Sequence, residues 1–194
     1  MVELIPESYV EPLDPGKIFG RRAPLQVDLG CGDGSFLAAL AQQTPAHDFL
    51  GIERLVGRVR SASRKAAALP NVRVLRVETA YAVRYLLPPD SVSVFHLLFP
   101  DPWPKRRHHR RRIFTTEFLD AIRTALAPGG CLRIATDQLD YFEEMERLVE
   151  GSASLQADHE SEADSLPVTT FEKKFIIAGA PIYRTTLWKV SPLT

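Results

Sequence analysis

The chain has 194 residues, 45% apolar and 25% charged, and its 24 basic and 24 acidic side chains give a net charge of zero. That is the composition of a globular domain with a sizeable core, which excludes a disordered chain, a collagen-like repeat and a general polyanion binder. The two cysteines, Cys31 and Cys131, form neither a metal-ligand spacing nor a disulfide framework, and no run approaches a membrane span.

Residues 1–24 are rich in Pro and Gly and carry Arg21-Arg22 just before the first strand. They are expected to form an extended N-terminal arm. They lack the apolar core of a signal peptide, so the expected compartment is the cytoplasm. Residues 25–194 are expected to form a single domain. Leu25–Leu29 reads as a short strand, ended by Gly30-Cys31-Gly32-Asp33-Gly34. Ser35–Gln43, with Phe36, Leu37 and Leu40 at helical spacing, reads as a helix stopped at Thr44-Pro45. Asp48–Ile52 is the second strand, with Glu53 at its end, and a helix then runs to Leu69-Pro70.

Val72–Val77 alternates apolar residues with Arg and makes the third strand; Glu78 and a helix carrying Ala82, Tyr85 and Leu86 follow. Val92–Leu98 is an apolar, buried fourth strand. Thr115 or Thr116 caps a helix through Leu126, closed by Pro128-Gly129-Gly130. Cys131–Ala135 is strand five, and Thr136-Asp137 leads into an acidic helix up to Gly151. Residues 152–167 are expected to be a flexible acidic crossover. Thr169–Phe175 reads as helical and Ile182–Val190 as a last strand. This alternation implies an α/β fold, a Rossmann-like, doubly wound, mostly parallel sheet, and one antiparallel strand is expected at the C-terminus.

The turn Asp28-Leu29-Gly30-Cys31-Gly32-Asp33-Gly34 joins a strand to a helix through glycines that let a ligand touch backbone. A dinucleotide site has the spacing G-x-G-x-x-G, whereas this loop has G-x-G-x-G. Asp28 and Asp33 would repel a pyrophosphate lying on the helix N-terminus. S-adenosylmethionine has no phosphate and carries a sulfonium and an ammonium, which acids favour. Glu53, about 20 residues on, is placed for ribose hydroxyls, and Glu78 for the adenine amino group. Gly30 and Gly32 complete this expected cofactor site. For each acid the plainer alternative is a solvated side chain or a helix cap.

The most informative stretch is Leu98-Phe-Pro-Asp-Pro-Trp-Pro-Lys-Arg-Arg-His-His-Arg-Arg-Arg112. Alternating prolines forbid a helix, and each residue before a proline, Phe99, Asp101 and Trp103, is expected to be extended. The loop follows a buried strand, and ligands of open α/β sheets bind at strand C-terminal ends. Lys105, Arg106, Arg107, Arg110, Arg111 and Arg112 then bring six positive charges within eight residues, whereas 137–164 holds ten acids against one Arg. Such a segment meets phosphates more readily than it packs. His108 and His109 have no acid pair or Cys nearby, so no metal is expected. Phe171 is expected in the core, and Trp103 packed under the loop.

Asp28-Leu-Gly-Cys-Gly-Asp-Gly34, Gly51-Ile-Glu53, Phe99-Pro-Asp-Pro-Trp-Pro-Lys105 with its basic tail, Ala135-Thr-Asp137 and Thr169-Thr-Phe-Glu-Lys-Lys-Phe175 together resemble the bacterial-type tRNA (guanine-N7-)-methyltransferases. The resemblance runs from about Arg21 to Lys189. It implies a class I methyltransferase fold, S-adenosylmethionine as donor, and N7 of the variable-loop guanine, position 46 of tRNA, as acceptor. It also implies Asp28, Glu53, Glu78 and Asp101 on the cofactor side, with Asp101 also catalytic. Lys105, Asp137, Thr169, Thr170, Phe171 and Glu172 would contact substrate. The chain has Asp28 where the family more often has Glu, and Glu78 where it more often has Asp. From the residues alone an amino-group methyltransferase, a nucleotide-linked oxidoreductase and a non-enzymatic RNA-binding protein stay open. So does the choice between monomer and homodimer.

Overall fold

The computed structural model describes residues 2–151, 155–158 and 166–190. Its centre is an eight-stranded sheet in the order β1-β4-β3-β2-β5-β6-β8-β7. The strands are β1 (Glu3–Leu4), β2 (Leu25–Leu29), β3 (Asp48–Glu53), β4 (Val72–Arg76), β5 (Val92–Leu98), β6 (Leu126–Thr136), β7 (Leu155–Asp158) and β8 (Tyr183–Lys189). The first six are parallel, and β8 runs antiparallel to both β6 and β7. Strand order reverses at β2, whose neighbours are β3 and β5. A crevice opens at such a reversal because the flanking connections leave to opposite faces.

Among the described residues seven α-helices flank the sheet: α1 (Pro15–Phe19), α2 (Ser35–Gln43), α3 (Val56–Lys65), α4 (Thr79–Tyr81), α5 (Thr116–Ala125), α6 (Leu139–Glu150) and α7 (Thr170–Ile177). On one face, Phe36, Leu37 and Leu40 of α2 and Val59 and Ala62 of α3 pack on Phe49, Val72 and Val74. On the other, Phe118 and Ile122 of α5 and Tyr141, Met145 and Val149 of α6 cover Val27, Phe95, Leu132 and Ile134. Gly34, at φ +76°, opens α2; a Cβ there would lie 2.5 Å from Cα of Ala62, so only glycine lets α2 and α3 approach this closely.

Four expectations are corrected. The arm of residues 1–24 is not merely extended: β1 pairs with β4, Leu13 is buried and its N–H donates to the Leu86 carbonyl, and α1 forms at Pro15. The helix expected through Leu126 stops at Ala125: Leu126 caps it, its N–H donating to the Ile122 carbonyl, and the same residue, fully buried, starts β6 opposite Val92. The helix after Glu78 is a single turn that widens into a π segment, Ala82–Leu86. Of the crossover 152–167, residues 155–158 form edge strand β7, while 152–154 and 159–165 lie outside the described residues.

Candidate active site

A cavity of about 800 Å³ opens over the C-terminal ends of β2, β3 and β5, with Asp28, Glu53, Glu78 and Asp101 among its lining. Asp28 and Glu53 sit on adjacent strands and are each 5% exposed. Burial, and next the charge of Glu53, pushes the Asp28 carboxyl up to about 7. One Glu53 oxygen accepts the Leu55 N–H at 2.9 Å, and the other lies 3.8 Å from Arg58. Glu78 is exposed and caps α4, accepting from the N–H groups of Ala80 (3.0 Å) and Tyr81 (2.7 Å). Asp33 is neutralised by Lys65, whose ammonium donates to it at 2.5 Å, and it also accepts the Ser35 N–H. Asp33 is therefore a weaker bar to phosphate than its sequence suggests, and Asp28 and Glu53 are the acids that disfavour a dinucleotide. Both free cysteines are buried, and Cys31, in the loop, is pushed well above the usual thiol range by burial and then by Asp28 and Glu53.

S-adenosylmethionine fits these residues. A Cβ built on Gly30 meets nothing within 4 Å, so the loop backbone faces open space, and two buried acids stand where a cationic ligand removes their mutual repulsion.

Beyond β5 the proline loop is clamped at both ends. The Phe99 N–H donates to the Ala135 carbonyl (2.7 Å), and the Phe99 ring lies 5.3 Å from that of Phe175. Phe99 and Trp103 are not extended, as residues before proline usually are, but have φ of +53° and +46°. Such backbone costs about 1–3 kcal/mol per residue and persists where its surroundings over-determine it. Between them Asp101 is exposed to the cavity. Trp103 also lines the cavity and is half-buried, with Arg111 4.8 Å over its ring and His108 edge-on at 5.9 Å.

The basic run folds as a 3-10 turn, Arg106–Arg111, and Lys105, Arg106, Arg107, Arg110 and Arg111 are exposed. Arg112 is the correction: it faces inward, 3% exposed. Its guanidinium donates to the Pro102 carbonyl (2.8 Å), Asp140 (2.6 Å) and Glu144, and stacks 4.5 Å over Tyr141. With its donors spent on α6 and the proline loop, Arg112 is a strut between them and has no free face for a phosphate.

The C-terminal motif opens α7 with a capping box, Thr169 Oγ1 accepting from the Glu172 N–H and Glu172 from the Thr169 N–H. Thr169, Thr170 and Phe171 line the cavity. Phe171 is 47% exposed there, which corrects the expectation that it belongs to the core. Glu172, by contrast, pairs with Arg184 and lies outside the lining. Lys105 and Asp137 lie outside it as well, Asp137 at the end of β6 with the Gln138 amide as its donor. Arg54 and Arg58 also line the cavity, outside the motifs that mark the site in sequence. Their signal was present: residues 54–65 carry five cations and no acid.

A family model described as a putative methyltransferase matches residues 22–185. A tRNA (guanine-N(7)-)-methyltransferase of Halorhodospira halophila is 38% identical over 187 residues, 92% of this chain and 80% of that one. The chain belongs to the tRNA (guanine-N(7)-)-methyltransferase family. A second member, from Nocardioides sp., is 37% identical over 92% of this chain and 73% of its own. Among solved structures, the antibiotic-resistance methyltransferase Kmr superposes with a TM-score of 0.63 at 19% identity, over 97% of this chain and 96% of that one. An rRNA methylase from Streptococcus thermophilus gives 0.60 at 15% identity, over 90% of this chain and 93% of that one. At those identities the likeness establishes the methyltransferase fold alone. In this family member no described helix is long and apolar enough to cross a membrane.

Proposed function

We propose that this protein methylates N7 of the variable-loop guanine of tRNA, position 46, with S-adenosylmethionine as donor, in the cytoplasm. The observation that carries the reading is one cavity that joins two buried acids, Asp28 and Glu53, to the proline loop bearing Asp101 and Arg111. The names of the relatives supply the acceptor atom.

When bound, S-adenosylmethionine supplies an electrophilic methyl group on a sulfonium. Glu53 would accept the ribose hydroxyls, Asp28 would lie under the cationic part, Glu78 would stand on the adenine side, and the backbone of Gly30 and Gly32 would hold the amino-acid end. Guanine N7 has an in-plane lone pair and no proton to lose, so the acids need not act as bases. What the chain supplies is alignment and negative charge near a purine that becomes cationic. Asp101 would accept from guanine N1–H and N2–H₂, which reads G against A and offsets the new charge, and Asp137, at the end of β6, would serve the substrate side. Thr169, Thr170 and Phe171 would bound the base, with the Glu172 carboxylate holding their turn. Lys105, Arg106, Arg107, Arg110 and Arg111 would meet phosphates and fix register without reading sequence.

The test is incubation of the full chain with a tRNA transcript and methyl-labelled S-adenosylmethionine, followed by digestion and nucleoside chromatography. Label in 7-methylguanosine, lost when the variable-loop guanine is replaced, is the expected result. Label on an exocyclic amine would make the protein an amino-group methyltransferase and refute the reading.

A further inference from the structure

The proline loop is not the only basic surface at the cavity. Residues 54–65, which lead into and form α3, carry Arg54, Arg58, Arg60, Arg64 and Lys65 and no acid. Val59, Ala62 and Ala66 are the buried stripe. At 100° per residue, Arg58 and Lys65 fall on one flank of that stripe, and Arg60 and Arg64 on the outer face. The flank is the cavity side: Arg58 lines the cavity, and Lys65 is bonded to Asp33, which lines it too. Arg54, Arg60 and Arg64 are exposed, and no described acid pairs with any of them.

The fold itself gives these charges little return. Arg64 and Lys65 lie in the last turn, where the helix dipole favours cations, and Lys65 serves Asp33. Arg54, however, stands just before the first turn, the positive end of the helix, and Arg58 within it, where Glu53, 3.8 Å away, offsets part of its charge. Arg60 and Arg64 are four residues apart, a like-charge pair that weakens a helix. The face of the sheet that bears α3 is otherwise uncharged at α2, Ser35–Gln43, while α6 on the opposite face holds five acids, Asp140, Glu143, Glu144, Glu146 and Glu150, against Arg147. The described helices thus put positive charge on the α3 face of the sheet and negative charge on the α6 face.

Building on the tRNA reading above, we propose that Arg54, Arg60 and Arg64 on and beside α3 form a second phosphate-docking surface for the tRNA, separate from the 105–112 turn. β3, which leads into α3, and β5, which leads into the basic turn, flank β2. The two basic segments therefore leave the sheet only about 10 Å apart, two strand spacings, with the cavity mouth between them. A polyanion lying across the mouth and continuing over the outer face of α3 reaches both. Arg60 and Arg64, about 6 Å apart along the helix, engage separate phosphates, a pattern that a single small anion does not require.

The test measures tRNA binding by the full chain between 50 and 200 mM salt for the wild type, Arg60→Ala/Arg64→Ala and Arg60→Lys/Arg64→Lys. Loss of two phosphate contacts should flatten the slope of log K against log salt by about 1.5 and weaken binding roughly tenfold at 50 mM. The lysine variant should bind like the wild type, and S-adenosylmethionine affinity should stay within twofold in both. An alanine variant with wild-type affinity and slope, in a protein that methylates tRNA, overturns the inference. So does unaltered tRNA binding accompanied by loss of a dimer in sedimentation, which would assign the face to a second copy. A wild type that binds tRNA with this arginine dependence but transfers no methyl group would overturn the functional reading and leave the docking surface standing.

Discussion

Replacing Asp28 by Asn removes one buried carboxyl and keeps its shape. In the folded chain that group is pushed from its ordinary 3.8 up to about 7, by burial and then by the charge of Glu53. Between those values the folded protein holds a proton that the unfolded chain has released, so the stability it contributes falls as pH rises. The slope is about 1.4 kcal/mol per pH unit, or about 4 kcal/mol in all. His96, 1% exposed on β5, works in the opposite sense. Burial and then Arg133 push it down to about 3. Below about 6.5 the unfolded chain takes up a proton that the folded chain refuses, so its contribution falls as pH drops. In the wild type the two slopes cancel between about pH 4 and 6.5. Asp28→Asn removes one of them, so the variant should gain stability over the wild type progressively from about pH 4 and level off above 7. Urea unfolding of both ligand-free proteins at several pH values gives that difference curve with all other groups subtracted. A flat or declining difference would mean that Asp28 is ionised throughout and that its burial is not felt. The same variant should bind S-adenosylmethionine more weakly, because a cation is the partner that restores the charge.

Three further outcomes are expected. Arg112→Met should lower stability by about 2–4 kcal/mol in urea unfolding, since it removes charge-assisted bonds whose partner Asp140 is 58% exposed and stays solvated; the salt slope of tRNA binding should not move, whereas Arg106, Arg107 and Arg110 changed together to Ala should flatten it by about 2–3. Glu53→Ala should cost about 1.5–3 kcal/mol of S-adenosylmethionine affinity by calorimetric titration, and no loss would remove Glu53 from the site. Asp101→Asn should lower the single-turnover rate about 10²-fold with cofactor affinity much less affected, the size of effect seen when one preorganised electrostatic group is lost.

The sequence showed most where local pattern and structure share a cause. Leu25–Leu29, Ser35–Gln43 and Val92–Leu98 have the same bounds in the fold as in the pattern, because glycine or proline punctuates an apolar run in each case. It failed where partners are distant. Nothing local separates Arg112 from Arg111, yet acids 28 and 32 residues further on draw Arg112 inside. Leu126 continues the helical spacing of Leu119 and Ile122, but it only caps α5 and turns extended to pair with Val92 at the start of β6. β1 is two residues of backbone pairing, too short to have a period. Phe171 looked like core because aromatic residues usually are, but the capping box at Thr169 aims the first turn of α7 at the cavity.

The proline loop connects these local facts to catalysis. In the proposed reaction the nucleophile has no proton to lose, so the geometry of Asp101 would matter more than its basicity. That geometry is set from two sides. Arg112 ties the Pro102 carbonyl to Asp140 and Glu144 of α6, while Phe99 is tied to β6 through Ala135 and to α7 through Phe175. The positive φ at Phe99 and Trp103 is what a short loop held at both ends must accept to point Asp101 into the cavity. Because α7 also carries Thr169, Thr170 and Phe171, one packing contact, Phe99 on Phe175, links the wall that would bound the base to the acid that would read it. Loosening that contact, as Phe175→Ala would, should therefore act on Asp101 and on the base-binding wall together.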